Sequence, residues 1–151
     1  MEAGQIIVRL RRELPAILEP YPVVAAYVYG SVVADCLRPG SDVDVALVLR
    51  PDAALTAYER MRLDLEVATE IEARCGVREA DVRGIQDAPL RVQGRVLTEG
   101  QLLYSGDEEA RVAYEVRTRT RYFDFLPVLT MMREAYLARL AVREGKLADA
   151  R

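Results

Sequence analysis

The chain has 151 residues, 51% of them hydrophobic and 30% charged, which is typical of one globular domain with a core of its own. Its net charge of -3 argues against a basic surface for nucleic acid, so we expect no DNA partner. The chain contains no histidine, which excludes Ser-His-Asp triads and histidine-containing zinc sites.

Other features of the whole chain predict a cytoplasmic protein without a membrane segment. Cys36 and Cys75 are far apart and form no Cys-x-x-Cys motif, which favours buried thiols over a disulfide or a metal site. The first 14 residues contain several charged side chains, unlike a signal peptide. The longest apolar run, residues 23–33, is too short to span a bilayer.

The first third of the chain predicts a helix followed by two buried strands. Apolar side chains at helical spacing indicate the helix, which Pro15 is expected to bend or end. Apolar runs bounded by turn residues indicate the strands, and Ser31 is a suitable N-cap for a short helix between them. The predicted elements are a helix over 5–18, strands over 23–29 and 42–49, and one or two helical turns over 32–37.

The middle of the chain alternates helix and strand, which indicates an α/β or α+β domain. The first of these helices is predicted to bury one apolar stripe, comprising Tyr58, Met61, Leu65, Ala68 and Ile71. The predicted elements are a helix over 53–74, a strand over 77–86, a helix over 88–98 and an edge strand over 101–104.

From Asp107 onward the sequence predicts a long helix that Pro127 must interrupt or bend. Four arginines between residues 111 and 121 are expected on a solvated face, with a docking patch as the alternative. The predicted apolar stripe comprises Val112, Val116, Phe123, Leu126, Met132, Tyr136 and Leu140.

Two short motifs suggest a chemical site around the first two strands. Asp42 and Asp44 alternate along a strand and therefore share a face, about 6.5 to 7 Å apart. Carboxylates this close repel each other unless a cation lies between them, and Mg²⁺ prefers such oxygen ligands. Gly30-Ser31, at the end of the first strand, offers backbone N–H groups and a hydroxyl that suit a phosphate.

Each motif alone also has a purely structural interpretation. Asp42 could satisfy backbone donors of its own turn, and Gly30-Ser31 could be an ordinary turn after a strand. The combination, separated by ten residues, is far more specific than either motif.

The combination resembles the motif of the polymerase-β-like nucleotidyltransferase superfamily, and in particular its minimal nucleotidyltransferases, or MNT proteins. Residues 81–90, with the sequence DVRGIQDAPL, resemble the family's third-carboxylate strand and the segment after it. The resemblance extends over residues 23–127 and implies a small mixed sheet flanked by helices. We expect a nucleotidyltransferase core over 1–106 and a C-terminal helical extension over 107–151 that packs on it within a single domain.

The same resemblance implies an activity. MNT proteins often act as antitoxins, and the implied reaction is Mg²⁺-dependent transfer of AMP from ATP to a tyrosine hydroxyl of a partner HEPN toxin. Gly30, Ser31, Asp42 and Asp44 would bind the nucleotide, while Asp42, Asp44 and Asp81 would bind metal and carry out catalysis. Transfer to a small molecule, as in aminoglycoside nucleotidyltransferases, and inhibition of the toxin by occlusion alone stay open, as does a homo-oligomer.

Several neighbours of these motifs receive structural interpretations. Arg38 is expected in a solvated turn, and Asp87 is expected to cap the helix that follows it. Arg83 shares a face with Asp81 and could either form an ion pair or contact phosphate. Tyr27 and Tyr29 are expected in the core or in a pocket wall.

Overall fold

The computed structural model describes residues 2–34 and 42–150, so the predictions for Cys36, Arg38 and most of the 32–37 turn lie outside the described residues. The described residues form four α-helices, four strands and short 3-10 turns at Gly30–Val32 and Pro51–Ala53. The elements are α1 (Ala3–Leu18), β1 (Val23–Tyr29), β2 (Val43–Leu49), α2 (Ala57–Cys75), β3 (Ala80–Gly84), α3 (Leu90–Glu99), β4 (Gln101–Ser105) and α4 (Glu108–Asp149).

The four strands form one mixed sheet in the order β3-β2-β1-β4. β1 runs antiparallel to both of its neighbours, whereas β2 and β3 are parallel and are connected through α2. The predicted fold class, a small mixed sheet flanked by helices, is therefore confirmed.

The two faces of the sheet pack against different helices. Along β2, Val45 and Leu47 belong to the apolar cluster shared with α1 and α2, which includes Leu10 and Ile71. Ala46 and Val48 belong to a second cluster shared with α3 and α4. Because side chains alternate along a strand, Asp44 lies on the second face, toward α3 and α4.

Pro15 does not end α1, which was one of its two predicted effects. The helix continues to Leu18, and the carbonyl of Pro15 accepts a hydrogen bond from the Glu19 N–H group. A proline inside a helix removes one backbone donor. The buried residues on either side, Leu14 and Ile17, hold this turn in place by packing into the core.

The predicted start of α2 was wrong, and its predicted stripe is buried only at Ala68 and Ile71. The helix begins after Thr56, whose hydroxyl accepts from the Glu59 N–H while the Glu59 carboxylate accepts from the Thr56 N–H. Such a reciprocal cap fixes the first turn. Apolar residues occupy two neighbouring stripes, and the sheet and α1 cover only one. Tyr58, Met61 and Leu65 are exposed, and the buried residues are Leu63, Val67, Ala68, Ile71 and Cys75.

The segment that leads into α3 also differs from the prediction. β3 is shorter than the predicted strand, and α3 begins at Leu90 with Pro89 in the capping position. Asp87 does not cap this helix, because its carboxylate forms an ion pair with Arg60 of α2. The side chain of Gln93 in α3 donates to the carbonyl of Ala88, at 2.7 Å.

α4 is continuous through Pro127, so the predicted interruption is absent. Its buried side chains are Tyr114, Thr118 and Tyr122, and residues 131–150 are all exposed. Within the part of the chain that the structure describes, no helix is long and apolar enough to cross a membrane. The predicted stripe was wrong, since these members of it are exposed: Val112, Val116, Phe123, Met132, Tyr136 and Leu140.

Arg111 was wrongly assigned to a solvated face. Its side chain is only 14% exposed, and it donates to the hydroxyl of Ser105 at 2.9 Å and to the carboxylate of Glu115 at 3.0 Å. Glu115 also accepts from the buried Tyr27 hydroxyl at 2.7 Å. Burial first, and this hydrogen bond second, raise the pKa of Tyr27. These contacts connect α4 to β1 and to the end of β4.

α3 and α4 pack closely against each other at Gly94. A Cβ atom at this position would lie 2.1 Å from the ring of Tyr122, which is buried against α3. Only the absence of a side chain lets the two helices approach this closely. Gly94 therefore sets the spacing between α3 and α4.

We expect Gly94→Ala to lower the free energy of unfolding by about 1–3 kcal/mol, because the tyrosine ring has to move. The measurement is urea denaturation. Gly145→Ala in α4 is the matched control, since no atom lies within 4 Å of its added methyl group. The free energy of unfolding of this control variant should stay unchanged or rise by up to about 1 kcal/mol, because alanine has a higher helix propensity than glycine. Equal behaviour of the two variants would contradict the packing role of Gly94.

Candidate functional site

The candidate site is built on a row of three residues across the sheet. Tyr29 of β1 is in register with Asp44 of β2, and Asp44 is in register with Asp81 of β3. Residues in register on neighbouring strands project from the same face, with the strands about 4.8 Å apart. The two predicted carboxylates therefore lie side by side, and Asp42 is exposed just before β2.

Gly30 brings the backbone directly against the carboxylate of Asp44. Its φ is +76°, a conformation that favours glycine, and a Cβ atom there would lie 2.6 Å from Oδ2 of Asp44. Any larger residue would displace this carboxylate. The predicted nucleotide-binding pair Gly30-Ser31 thus continues from β1 into a 3-10 turn that begins beside Asp44.

The site concentrates negative charge. Burial is the main cause that raises the pKa of Asp44, followed by repulsion from Asp81 and then from Asp42, while Arg83 acts in the opposite direction. The pKa of Tyr29 is also raised, by burial first and then by the charges of Asp44 and Asp81. Repulsion of this kind favours a bound cation.

Arg83 forms an ion pair, which was one of its two predicted roles. Its guanidinium donates to both carboxylate oxygens of Asp81, at 3.0 Å each. This bidentate pair neutralises Asp81, and among residues 2–34 and 42–150 neither Asp42 nor Asp44 has a cationic partner of that kind.

The predicted metal ligands fit a hard divalent cation only in part. Asp42 and Asp44 supply carboxylate oxygens, the donors that Mg²⁺ prefers, and their repulsion is not relieved by a salt bridge with any described residue. Over residues 2–34 and 42–150, however, no three Asp, Glu, Cys or His side chains are gathered to hold one ion. A common site for Asp42, Asp44 and Asp81 therefore stays a prediction.

Asp64 is a further acidic residue near the site that sequence reasoning missed. Its Oδ2 atom accepts from the Gly84 N–H at 3.4 Å, and its Oδ1 atom is buried without a hydrogen-bond partner. Burial raises the pKa of Asp64 to about 6, with a further contribution from Asp81. No motif marks this residue, which lies between Leu63 and Leu65 in the middle of a helix.

A cavity of about 620 Å³ opens beside Gly30, between α3 and α4. Tyr29 and Gly30 form one end of it, and Arg91, Arg95 and Arg133 line its sides. A larger cavity, of about 1030 Å³, lies beside Leu49, at the end of β2 remote from Asp44. The smaller cavity is therefore the one that adjoins the end of β1, where Tyr29 and Gly30 lie beside Asp44.

Comparison with known proteins identifies the family to which this arrangement belongs. Residues 12–109 match the family described as Polymerase beta, Nucleotidyltransferase, and this match covers more than half of the chain. The chain is a member of that nucleotidyltransferase family. The matched segment includes Gly30, Asp44 and Asp81, so the family assignment and the carboxylate row concern the same part of the fold.

Several solved structures with the same fold are chains of toxin–antitoxin complexes. A toxin–antitoxin structure with AMP-PNP is similar over 87% of this chain and 98% of the other, at a TM-score of 0.63 and 16% identity. A complex of a tri-AMPylated Shewanella oneidensis HEPN toxin with an MNT antitoxin is similar over 89% of this chain and 98% of the other, at a TM-score of 0.59 and 18% identity. The MntA–HepT toxin–antitoxin structure is similar over 87% of this chain and 97% of the other, at a TM-score of 0.58 and 18% identity. A comparison with curated protein sequences found no match.

The raised pKa of Asp64 predicts a pH-dependent effect of Asp64→Asn on stability. Because the folded-state pKa of about 6 exceeds the unfolded value, ionisation of Asp64 opposes folding as pH rises through this window. The variant should therefore melt at a higher temperature than the parent chain at pH 7.5, and this advantage should shrink toward pH 4. The measurement is the difference in melting temperature between the variant and the parent chain from pH 4 to pH 7.5.

Asp149→Asn, which removes a carboxylate near the end of α4, is the control for the loss of one charge. A pH-independent difference between Asp64→Asn and the parent chain would contradict the assigned cause.

Proposed function

We propose that this protein transfers AMP from ATP to a tyrosine hydroxyl of a partner HEPN toxin, with Mg²⁺ as cofactor, and thereby acts as an antitoxin. The observation that carries the proposal is the row in which Asp44 lies beside Asp81 with the Gly30 backbone against it. A cation and a phosphate placed there would meet carboxylate oxygens on one side and an unobstructed backbone on the other.

Family membership supports nucleotidyl transfer, and the similar structures support the donor and the acceptor. One of these proteins is in a structure with AMP-PNP, an analogue of ATP, and another is in complex with a tri-AMPylated HEPN toxin. Both are less than 25% identical to this chain, so the choice of ATP and of a toxin is part of the proposal.

Each site residue receives one role. Asp42 and Asp44 would hold Mg²⁺, which when bound neutralises phosphate charge and stabilises the attacking and leaving oxygens. Gly30 leaves space for a phosphate next to Asp44, and the Ser31 hydroxyl would donate to a phosphate oxygen. Asp81 would accept the proton of the attacking hydroxyl, for which its pair with Arg83 has to loosen.

The proposed reaction balances with these groups alone. The tyrosine oxygen forms a bond to the α-phosphorus of ATP, and its proton passes to the carboxylate of Asp81. The bond from the α-phosphorus to the oxygen that bridges to the β-phosphorus breaks, and pyrophosphate leaves with that electron pair. The products are an AMP-modified tyrosine and pyrophosphate.

Mass spectrometry of the toxin after incubation with ATP, Mg²⁺ and the protein tests the proposed activity directly. We expect a mass increase of one or more AMP groups on tyrosine. Asp42→Asn with Asp44→Asn should reduce transfer by about 10²–10³-fold, because charge stabilisation is lost. Asp52→Asn, in the 3-10 turn after β2, is the matched control and should transfer normally.

Two outcomes would overturn this proposal in different ways. A toxin that is fully inhibited yet carries no AMP would indicate occlusion. Transfer of AMP to a small molecule but not to the toxin would indicate the small-molecule class of nucleotidyltransferase.

Mg²⁺ should stabilise the folded protein without any nucleotide or partner. A ligand that binds only the folded state adds about 2.7 kcal/mol at a concentration 100 times its dissociation constant. We expect the melting temperature to rise with Mg²⁺ concentration in the parent chain and not in the Asp42→Asn, Asp44→Asn double variant. An identical rise in both would place the Mg²⁺ elsewhere.

A further inference from the structure

The cavity between α3 and α4 has the size and position of a ligand site next to the carboxylate row. Its volume of about 620 Å³ lies within the range of small-molecule sites. Gly30 lines this cavity and also abuts Oδ2 of Asp44. One ligand could therefore place one end at Asp44 and extend the rest of its length between the helices.

The charged lining of the cavity is mainly cationic. Arg91 and Arg95 of α3 and Arg133 of α4 contribute guanidinium groups, and Glu99 is the one acidic side chain among the described residues that line it. Arg95 and Glu99 form an exposed pair at 3.4 Å. Arg91 and Arg133 form no salt bridge with any described residue.

Such guanidinium groups are suited to phosphate, because their planar N–H donors bind two oxygens at once. Two cations on opposite walls of one groove also repel each other until an anion lies between them. The contact between Gly94 and Tyr122 holds α3 and α4 close together beside this cavity, which Arg91 lines from α3 and Arg133 from α4.

We propose that Arg91 and Arg133 bind the β- and γ-phosphates of the nucleoside triphosphate, while its α-phosphate lies at Gly30 and Asp44. This inference rests on the proposed function, and it assigns the leaving pyrophosphate to the cavity between α3 and α4. Arg133 lies just where α4 begins to extend beyond the core, so the long helix completes the nucleotide site in addition to packing on the sheet.

The experiment compares the binding of ATP and AMP to the full chain by calorimetry in the presence of Mg²⁺. The variant Arg91→Gln with Arg133→Gln should bind ATP at least tenfold more weakly and AMP within twofold of the parent chain, because AMP lacks the two distal phosphates. The variant Arg91→Lys with Arg133→Lys keeps both positive charges and should lose less affinity for ATP than the glutamine variant. The difference for ATP should shrink at high salt.

Arg139→Gln with Arg143→Gln is the matched control, since both side chains are exposed on α4 and neither lines the cavity. It should bind ATP like the parent chain. A urea midpoint equal to that of the parent for every variant verifies that the fold is retained.

Three results would overturn the inference. One is unchanged ATP affinity in the Arg91→Gln, Arg133→Gln variant, and another is an equal loss of affinity for ATP and for AMP in that variant. Normal ATP binding with weakened toxin binding would assign the arginines to an acidic segment of the partner instead. A parent chain that binds ATP through these arginines but modifies no toxin would overturn only the proposed function.

Discussion

The contact between the Gly30 backbone and the Asp44 carboxylate is the constraint on which the rest of the site depends. β1 ends at Tyr29, and the next residue must turn over its neighbour Asp44 without a side chain of its own. The sheet order places β2 between β1 and β3, so the same Asp44 meets Gly30 on one side and Asp81 on the other. The turn and Asp81 both meet this one side chain, and the cavity between α3 and α4 reaches its neighbours Tyr29 and Gly30.

The two faces of the sheet have different roles, because one forms an aliphatic core and the other carries the candidate site. α1 and α2 bury large aliphatic side chains such as Leu10, Leu14 and Ile71 against one face. The other face carries tyrosines and carboxylates beside its apolar residues, and α3 and α4 cover it less completely. Chemistry is concentrated on the less covered face, where a ligand can reach Asp44.

Local patterns predicted much of this arrangement. The bounds of β1 agree with the prediction to the residue, because an uninterrupted apolar run between Pro22 and Gly30 admits few alternatives. Asp44 and Asp81 were paired through a family motif, and the register across β2 and β3 brings them side by side. Spacing along the chain could not supply that register, which depends on how distant strands align.

The errors in the predictions also have a physical cause. In α2 and α4 apolar residues occur on more than one stripe, so periodicity could not decide which stripe the core covers. The contact of Gly94 with Tyr122 and the hydrogen bond from Gly84 to Asp64 join residues 28 and 20 positions apart. Such contacts depend on how whole helices and strands pack together, so no local sequence pattern predicts them.

The carboxylate of Asp64 has a consequence for how the sheet meets other chains. β3 is a terminal strand, and an unpaired N–H on such a strand invites strand addition from another molecule. Asp64 already accepts from the Gly84 N–H and so occupies the donor that an incoming strand would need. This border of the sheet should therefore be less open to strand addition than an edge with a free N–H.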